Sequence, residues 1–347
     1  MRLSTFNFDR VPSDHTTILF LIAVCIGLSL FGATEILWRR WGAQPSYVDS
    51  HSRWAAARDR VELSDHPQRT VLIGSSRILF NVSLDTFERR YPGIPVAQLA
   101  VPATGPLATL NSFAYETDFD GVILFSFNPE NILPPREKEQ DEYVSFYDSR
   151  WNTNQRLNFK IASAFESILI SRRDYYGINR VIHNLLEDRK LPSPIYLSIR
   201  DNRVHDADFA LTDAEVLKNN RIAEVVRRHD HLLKVIDQVW PATLQALEDT
   251  VAAIHGRGGC VVFIRMPIVE RWLEQDQRIF TKSRFWDSVL SELEVYGVHY
   301  DQIAGHEQIS LPDGEHMNAH DQSEFTSSLL DELDRLGIYD PNGSCRP

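Results

Sequence analysis

The sequence predicts an α/β protein, a three-layer doubly wound parallel sheet, with one N-terminal transmembrane helix and a helical insertion. Three observations lead there. Short apolar, strand-like runs alternate with helical patterns along much of the chain. One run, GVILFSF (Gly121–Phe127), is continuously apolar, as a central parallel strand covered on both faces has to be. Finally, Ile18–Trp38 is apolar except for Glu35, and at 1.5 Å per residue it is long enough to cross a hydrocarbon core of roughly 30 Å.

Taken in order, residues 1–16 form a short N-terminal stretch and 17–41 an anchor. Trp38 and Trp41 stand where an interfacial aromatic belt would place them, beside Arg39 and Arg40. A buried core helix and a cleaved signal peptide are the rival readings; against the second, the apolar run is long and no clean small-x-small cleavage site follows it. Glu35, about one turn from the interface, is expected to snorkel or to meet a partner helix. Arginines flank both ends (Arg2 and Arg10 before; Arg39, Arg40 and Arg53 after), so charge does not orient the helix. Residues 42–68 read as a polar, partly helical stalk.

From residue 69 to 340 a single domain is expected. Thr70–Ile73 reads as a strand ending at Gly74, Leu84–Arg90 as a short helix, Ile94–Ala100 as a second strand and Pro106–Thr117 as a helix. After Gly121–Phe127 the alternation stops. Residues 133–155 read as a long loop, Leu157–Glu187 as mostly helical, and 191–228 as irregular, so 133–228 is assigned as an insertion. The pattern resumes with a helix near His231–His255 that meets Pro241, then the strand Cys260–Met266 and a helix near Arg284–Tyr296. A short strand at Val298–Ile303 and a last helix at about His320–Leu336 complete it.

Composition narrows the function classes. Of 347 residues, 36 are basic and 48 acidic, a net charge of −12, which lacks the concentrated basic surface that nucleic acid requires. Cys25, Cys260 and Cys345 form no CxxC and no zinc spacing with histidine. Cys25 and Cys260 read as small buried hydrophobes, Cys345 as a stray thiol, and a structural disulfide is not expected, a Cys260–Cys345 bridge being the one left open.

Two segments carry chemistry. In VLIGSSR (Val71–Arg77) a strand runs into Gly-Ser-Ser at its carboxyl end, where α/β sheets present reactive groups and where glycine permits the turn. Taken alone, it is also what a strand-to-helix turn with capping serines looks like. In PDGEHMNAH (Pro312–His320), Asp313 and His316 are three apart, so one turn can bring both into a site where the carboxylate orients the imidazole. His320 has no aspartate three residues before it. Arg77 and Arg265 lie near strand ends and read as salt-bridge partners ahead of anion ligands.

Together, a serine after the first strand and Asp-x-x-His before the last helix resemble blocks I and V of the SGNH (GDSL-like) hydrolase superfamily, whose sheet is flavodoxin-like. The resemblance covers residues 70–130 and 258–336. It implies Ser76 as nucleophile, since Gly74-Ser75-Ser76 aligns with Gly-Asp-Ser, with Asp313 and His316 completing a triad. It implies an oxyanion hole from the Ser76 and Ala100 N–H groups and the Asn128 side-chain amide, Gly105 being a less well placed substitute for Ala100. The sequence departs from the family where Ser75 replaces aspartate, Ala100 replaces glycine, and Ser126 and Pro129 replace the glycine and aspartate of block III. GSSR followed by LAVPATGP is similar to a membrane-anchored branch of the family that serves teichoic acid and alginate acylation.

That branch implies an ester hydrolase or O-acyltransferase acting on cell-envelope or exported polysaccharide. It implies a catalytic domain outside the cytoplasm, an acylated carbohydrate substrate, a multispanning O-acyltransferase partner, no nucleic acid, and neither metal nor organic cofactor. The competing expectation is an inactive SGNH-like scaffold that binds polysaccharide or such a partner.

Overall fold

A computed structural model of the chain describes residues 14–134, 136, 140–187, 189 and 194–340. They fall into two compact units, Met1–Pro45 with Phe165–Pro194, and Ser46–Ala164 with Ile195–Pro347. Residues 1–13 of the expected N-terminal stretch, and Cys345, lie outside the described residues.

The larger unit contains strands β1 (Thr70–Ile73), β2 (Val96–Gln98), β3 (Val122–Ser126), β4 (Leu197–Ile199), β5 (His205–Ala207), β6 (Cys260–Arg265) and β7 (Tyr296–His299). Five of them form one sheet in the order β2-β1-β3-β6-β7, and every neighbouring pair is parallel. β4 and β5 pair separately as an antiparallel ribbon. Alternate strand residues enter two different hydrophobic clusters, because successive side chains of a strand point to opposite faces. Ile73, Ile123, Phe125 and Phe263 pack with Trp54, Phe113, Leu247 and Trp286. Leu72, Leu124, Val262 and Ile264 pack with Ile78, Phe87, Phe325 and Leu329. Both faces of the sheet are therefore covered, which is why its strands read as unbroken apolar runs.

In the larger unit four expectations are corrected. Residues 42–68 are no stalk: helix His51–Glu62 belongs to the larger unit. Its Trp54, Ala55 and Val61 are fully buried, and Trp54 Nε1 donates to the Leu99 carbonyl at 2.8 Å. The polar look of AAARDRVE misled because Arg58 is buried as well. Its guanidinium lies 4.3 Å from the centre of the Tyr147 ring and donates to Glu62 Oε2 at 2.6 Å.

The expected loop at 133–155 contains helix Asp141–Arg150, and Asp59 of helix His51–Glu62 accepts from its Tyr147 and from Trp151 and Arg156 just beyond it. The irregular stretch expected up to 228 ends at residue 213, where Asp213 caps a 42-residue helix, Ala214–His255. Pro241 lies inside that helix. An interior proline costs about 3 kcal/mol, and the helix continues because Ile222, Leu232 and Ile236 before it and Leu244, Leu247 and Val251 after it are all buried. Cys260, finally, is disulfide-bonded. Spacing could not show this, because pairing is set by where distant parts of the chain fold.

In the smaller unit, one helix spans Asp14–Arg40. Its stretch His15–Arg40 is long and apolar enough to cross a membrane, with its apolar window wholly unburied. Glu35 is buried, and its carboxylate accepts the backbone N–H groups of Ile170 and Ser171, both at 2.9 Å. It neither snorkels nor meets a partner helix, because this carboxylate caps a segment of its own chain.

Candidate active site

β1 lies between β2 and β3, so the chain leaves it first to one side and then to the other. Connections diverging from the carboxyl end of such a strand open a crevice there, the usual ligand site of a doubly wound sheet. Gly74 follows β1 at this point. A Cβ on it would lie 2.6 Å from Ser126 Cβ and 2.8 Å from Ile78 Cγ2, so the β1 and β3 ends approach this closely only with glycine. Ser75 is extended and precedes the short helix Ser76–Asn81. Its hydroxyl accepts from Asn131 Nδ2 at 2.9 Å. Ser76 is the less buried of the two serines, and among the described residues no hydrogen bond engages its hydroxyl.

The Asp313–His316 turn meets this helix. Asp313 is 1% exposed. Its Oδ1 accepts the N–H groups of Glu315 (3.2 Å) and His316 (2.9 Å), and its Oδ2 meets His316 Nδ1 at 2.8 Å and accepts from Arg221 Nη1 at 3.0 Å. Burial alone would raise the Asp313 carboxyl, but His316 and Arg221 together hold it below its ordinary value. Arg221 Nη1 also lies 3.1 Å from His316 Nδ1. An ionised carboxylate only accepts, so Nδ1, the nearer to it at 2.8 Å, donates to Asp313, and the guanidinium, which only donates, has Asp313 and Glu315 as its acceptors. In the neutral ring Nε2, on the opposite edge, is then an acceptor, and it is buried with no hydrogen-bond partner among the described residues.

Two features that motif spacing could not disclose set this geometry. Gly314 has φ +95°, and a Cβ there would lie 2.0 Å from Trp272 Cδ1, whose ring nitrogen donates to the Asp313 carbonyl at 3.1 Å. Asn81, fully buried, donates through Nδ2 to the Glu315 carbonyl (3.1 Å) and accepts the Met317 N–H through Oδ1 (2.9 Å). The last residue of the Ser76 helix therefore grips the backbone on both sides of His316. Arg77 adds an ion pair to Glu315 at 3.1 Å.

Ser76 and His316 line one cavity of about 350 Å³, together with Asn128, Ala103, Arg221 and His205. No hydrogen bond joins the Ser76 hydroxyl to His316, whose Nε2 is unpartnered. The close contact expected of a serine and its base is thus not formed, although the two groups share the site. His320 is outside it, with a largely exposed side chain 3.2 Å from Asp321.

Of the expected oxyanion donors, Asn128 lines the cavity. Its Oδ1 accepts from Arg265 Nη1 at 3.1 Å, and because arginine only donates, the amide nitrogen points away from Arg265. Arg265 is itself buried against Asp276 at 2.5 Å. It and Arg77 are ion-paired as expected, though inside the protein. Ala100 is a correction. It is fully buried, does not line the cavity, and its N–H donates to Gln98 Oε1 at 3.1 Å. The chain runs on before it reaches the cavity at Pro102 and Ala103, and Ala103 holds φ +60°, a conformation natural to glycine.

His205 was not legible as a site residue. It lines the cavity, and its Nε2 stands 3.2 Å from Asp49 Oδ2. The Phe80 ring packs against both imidazoles, 5.0 Å from His205 and 4.6 Å from His316. A comparison of the chain with protein-family models, curated proteins and solved structures gives no match.

Proposed function

We propose that the chain is an SGNH-type, membrane-anchored serine acyl-transfer enzyme with a three-layer catalytic domain. The observation that carries this reading is the buried, unpartnered Nε2 of a histidine whose other nitrogen is fixed by a saturated carboxylate, in the cavity that Ser76 also lines. A buried polar atom without a partner needs a reason to persist, and accepting a proton from Ser76 supplies one. In this reading Ser76 Oγ attacks an ester carbonyl while its proton passes to His316 Nε2. The Ser76 N–H, the Asn128 amide and the Ala103 backbone serve the oxyanion. The alkoxide leaves with the proton from His316, and water or a sugar hydroxyl then takes the acyl group from Ser76. Apo sites often have looser catalytic contacts than their complexes, so closure of the Ser76–His316 gap accompanies substrate binding.

The substrate is an acylated carbohydrate of the cell envelope or an exported polysaccharide, reached from the outer side of the membrane beside a multispanning O-acyltransferase. The disulfide at Cys260 supports an oxidising compartment. The non-catalytic scaffold keeps one observation in its favour, the missing Ser76–His316 hydrogen bond. Turnover of an activated acetyl ester separates the two readings. Ser76→Ala is expected to lower it by about 10⁶-fold, as in serine-protease triads, and Asn128→Ala by roughly 10²–10³-fold, as loss of one oxyanion donor. Equal, small effects from both would leave the scaffold.

A further inference from the structure

The smaller unit has an apolar face that the proposed reaction does not use. Residues 168–176 are fixed to the end of helix Asp14–Arg40 at three points. Glu35 accepts the N–H groups of Ile170 and Ser171, each at 2.9 Å. Arg39 Nη2 donates to the Ile168 carbonyl at 2.5 Å, and the Trp38 ring lies 5.2 Å from that of Tyr176. Trp38, Arg39 and Arg40 are the residue types that sit where a spanning helix leaves the hydrocarbon core. The tie at 35–39 therefore sets the depth of the attached segment at that level.

Helix Ile178–Glu187 follows directly. Val181, Ile182, Leu185 and Leu186 share one of its faces, with Arg180, His183 and Glu187 elsewhere. Ile182 is 50%, Leu185 46% and Leu186 77% exposed, and Ile168, beside the Arg39 contact, is 60% exposed. Arg40, Arg172 and Arg180 are exposed nearby in sequence to these residues, the arrangement that draws a short amphipathic helix onto anionic headgroups.

We propose that residues 168–187 form an interfacial collar, which inserts Ile168, Ile182, Leu185 and Leu186 into the headgroup boundary of the same bilayer that Asp14–Arg40 crosses. The proposal rests on that helix being a membrane span. The bilayer is chosen over a second copy or another protein because the ties to Glu35 and Arg39 already hold this face at the membrane exit. A collar there restrains the tilt and rotation of the anchor.

The test is spin-label accessibility on the full chain in vesicles of mixed zwitterionic and anionic phospholipid. Cys25, expected as a buried hydrophobe, is instead a free and exposed thiol, because the apolar window of its helix is unburied, and it reports on the span. In a Cys25→Ser background, Ile182→Cys, His183→Cys, Leu186→Cys and Glu187→Cys report on the collar. Several-fold higher oxygen over nickel-complex accessibility at 182 and 186 than at 183 and 187 is the expected result. Water-like values at all four positions, with Cys25 in lipid, overturn the collar and leave the span intact. Water-like values at Cys25 as well overturn both. Low accessibility to both reagents at 182 and 186 places protein on this face and likewise overturns the collar, spin–spin broadening identifying that protein as a second copy.

Discussion

Asp313 is satisfied by four donors, two from the backbone of its own turn and two from side chains. A carboxylate so held is fixed in both position and charge, as a group that orients a histidine has to be. Its pKa gives a pH prediction. The folded value lies below the ordinary 3.8, so the native state binds this proton less readily than the unfolded chain. Stability from Asp313 is then complete well above pH 4 and is lost as pH falls through the folded value. Urea unfolding between pH 7 and pH 3 is expected to show a steeper acid loss for the wild type than for Asp313→Asn. Equal slopes would mean that the carboxylate gains nothing from its partners. Arg221 shares this role from a helix that enters the site from elsewhere in the chain. Its contribution was invisible beforehand because nothing in a helical arginine marks which carboxylate it will meet.

At the scale of elements, the short helix Ser76–Asn81 and the Asp313–Met317 turn act as one part, joined by Asn81. Asn81→Ala would leave the Glu315 carbonyl and the Met317 N–H buried without partners, at about 1–3 kcal/mol each. It is expected to lower Tm and to reduce kcat on an activated ester more than it raises KM, since the residue positions His316 and touches no substrate. An unchanged kcat would separate the clamp from the chemistry. The strands and the two motif turns were legible because each is a local pattern, an apolar run closed by Gly-Ser-Ser or an aspartate three before a histidine. The residue that family spacing put at the cavity, Ala100, does not reach it, because this chain turns the Ala100 N–H onto Gln98 and meets the cavity only at Pro102 and Ala103. Helix His51–Glu62 was taken for a stalk because its buried face is built partly from arginines, Arg53 and Arg58, which packing hides and composition does not. His205 was missed because its carboxylate, Asp49, lies far from it in sequence.

On the scale of the whole molecule, the proposed anchor fits a helix long and apolar enough to cross a membrane, and the proposed placement outside the cytoplasm fits the disulfide at Cys260. Alkaline phosphatase fused after Pro347 is expected to be active, because that reporter needs an oxidising exterior to form its own disulfides. A well-expressed but inactive fusion, with a cytoplasmic reporter active at the same point, would reverse the orientation. The central claim is that Ser76 is a nucleophile activated by His316, and it is tested most directly by exposing the full-length protein to a fluorophosphonate and sequencing the labelled peptide. The account predicts a single adduct on Ser76 that is absent in Ser76→Ala, formed far more slowly in His316→Ala, and little changed in His205→Ala. No adduct on Ser76 in the folded protein, or an adduct on Ser75 instead, would contradict it.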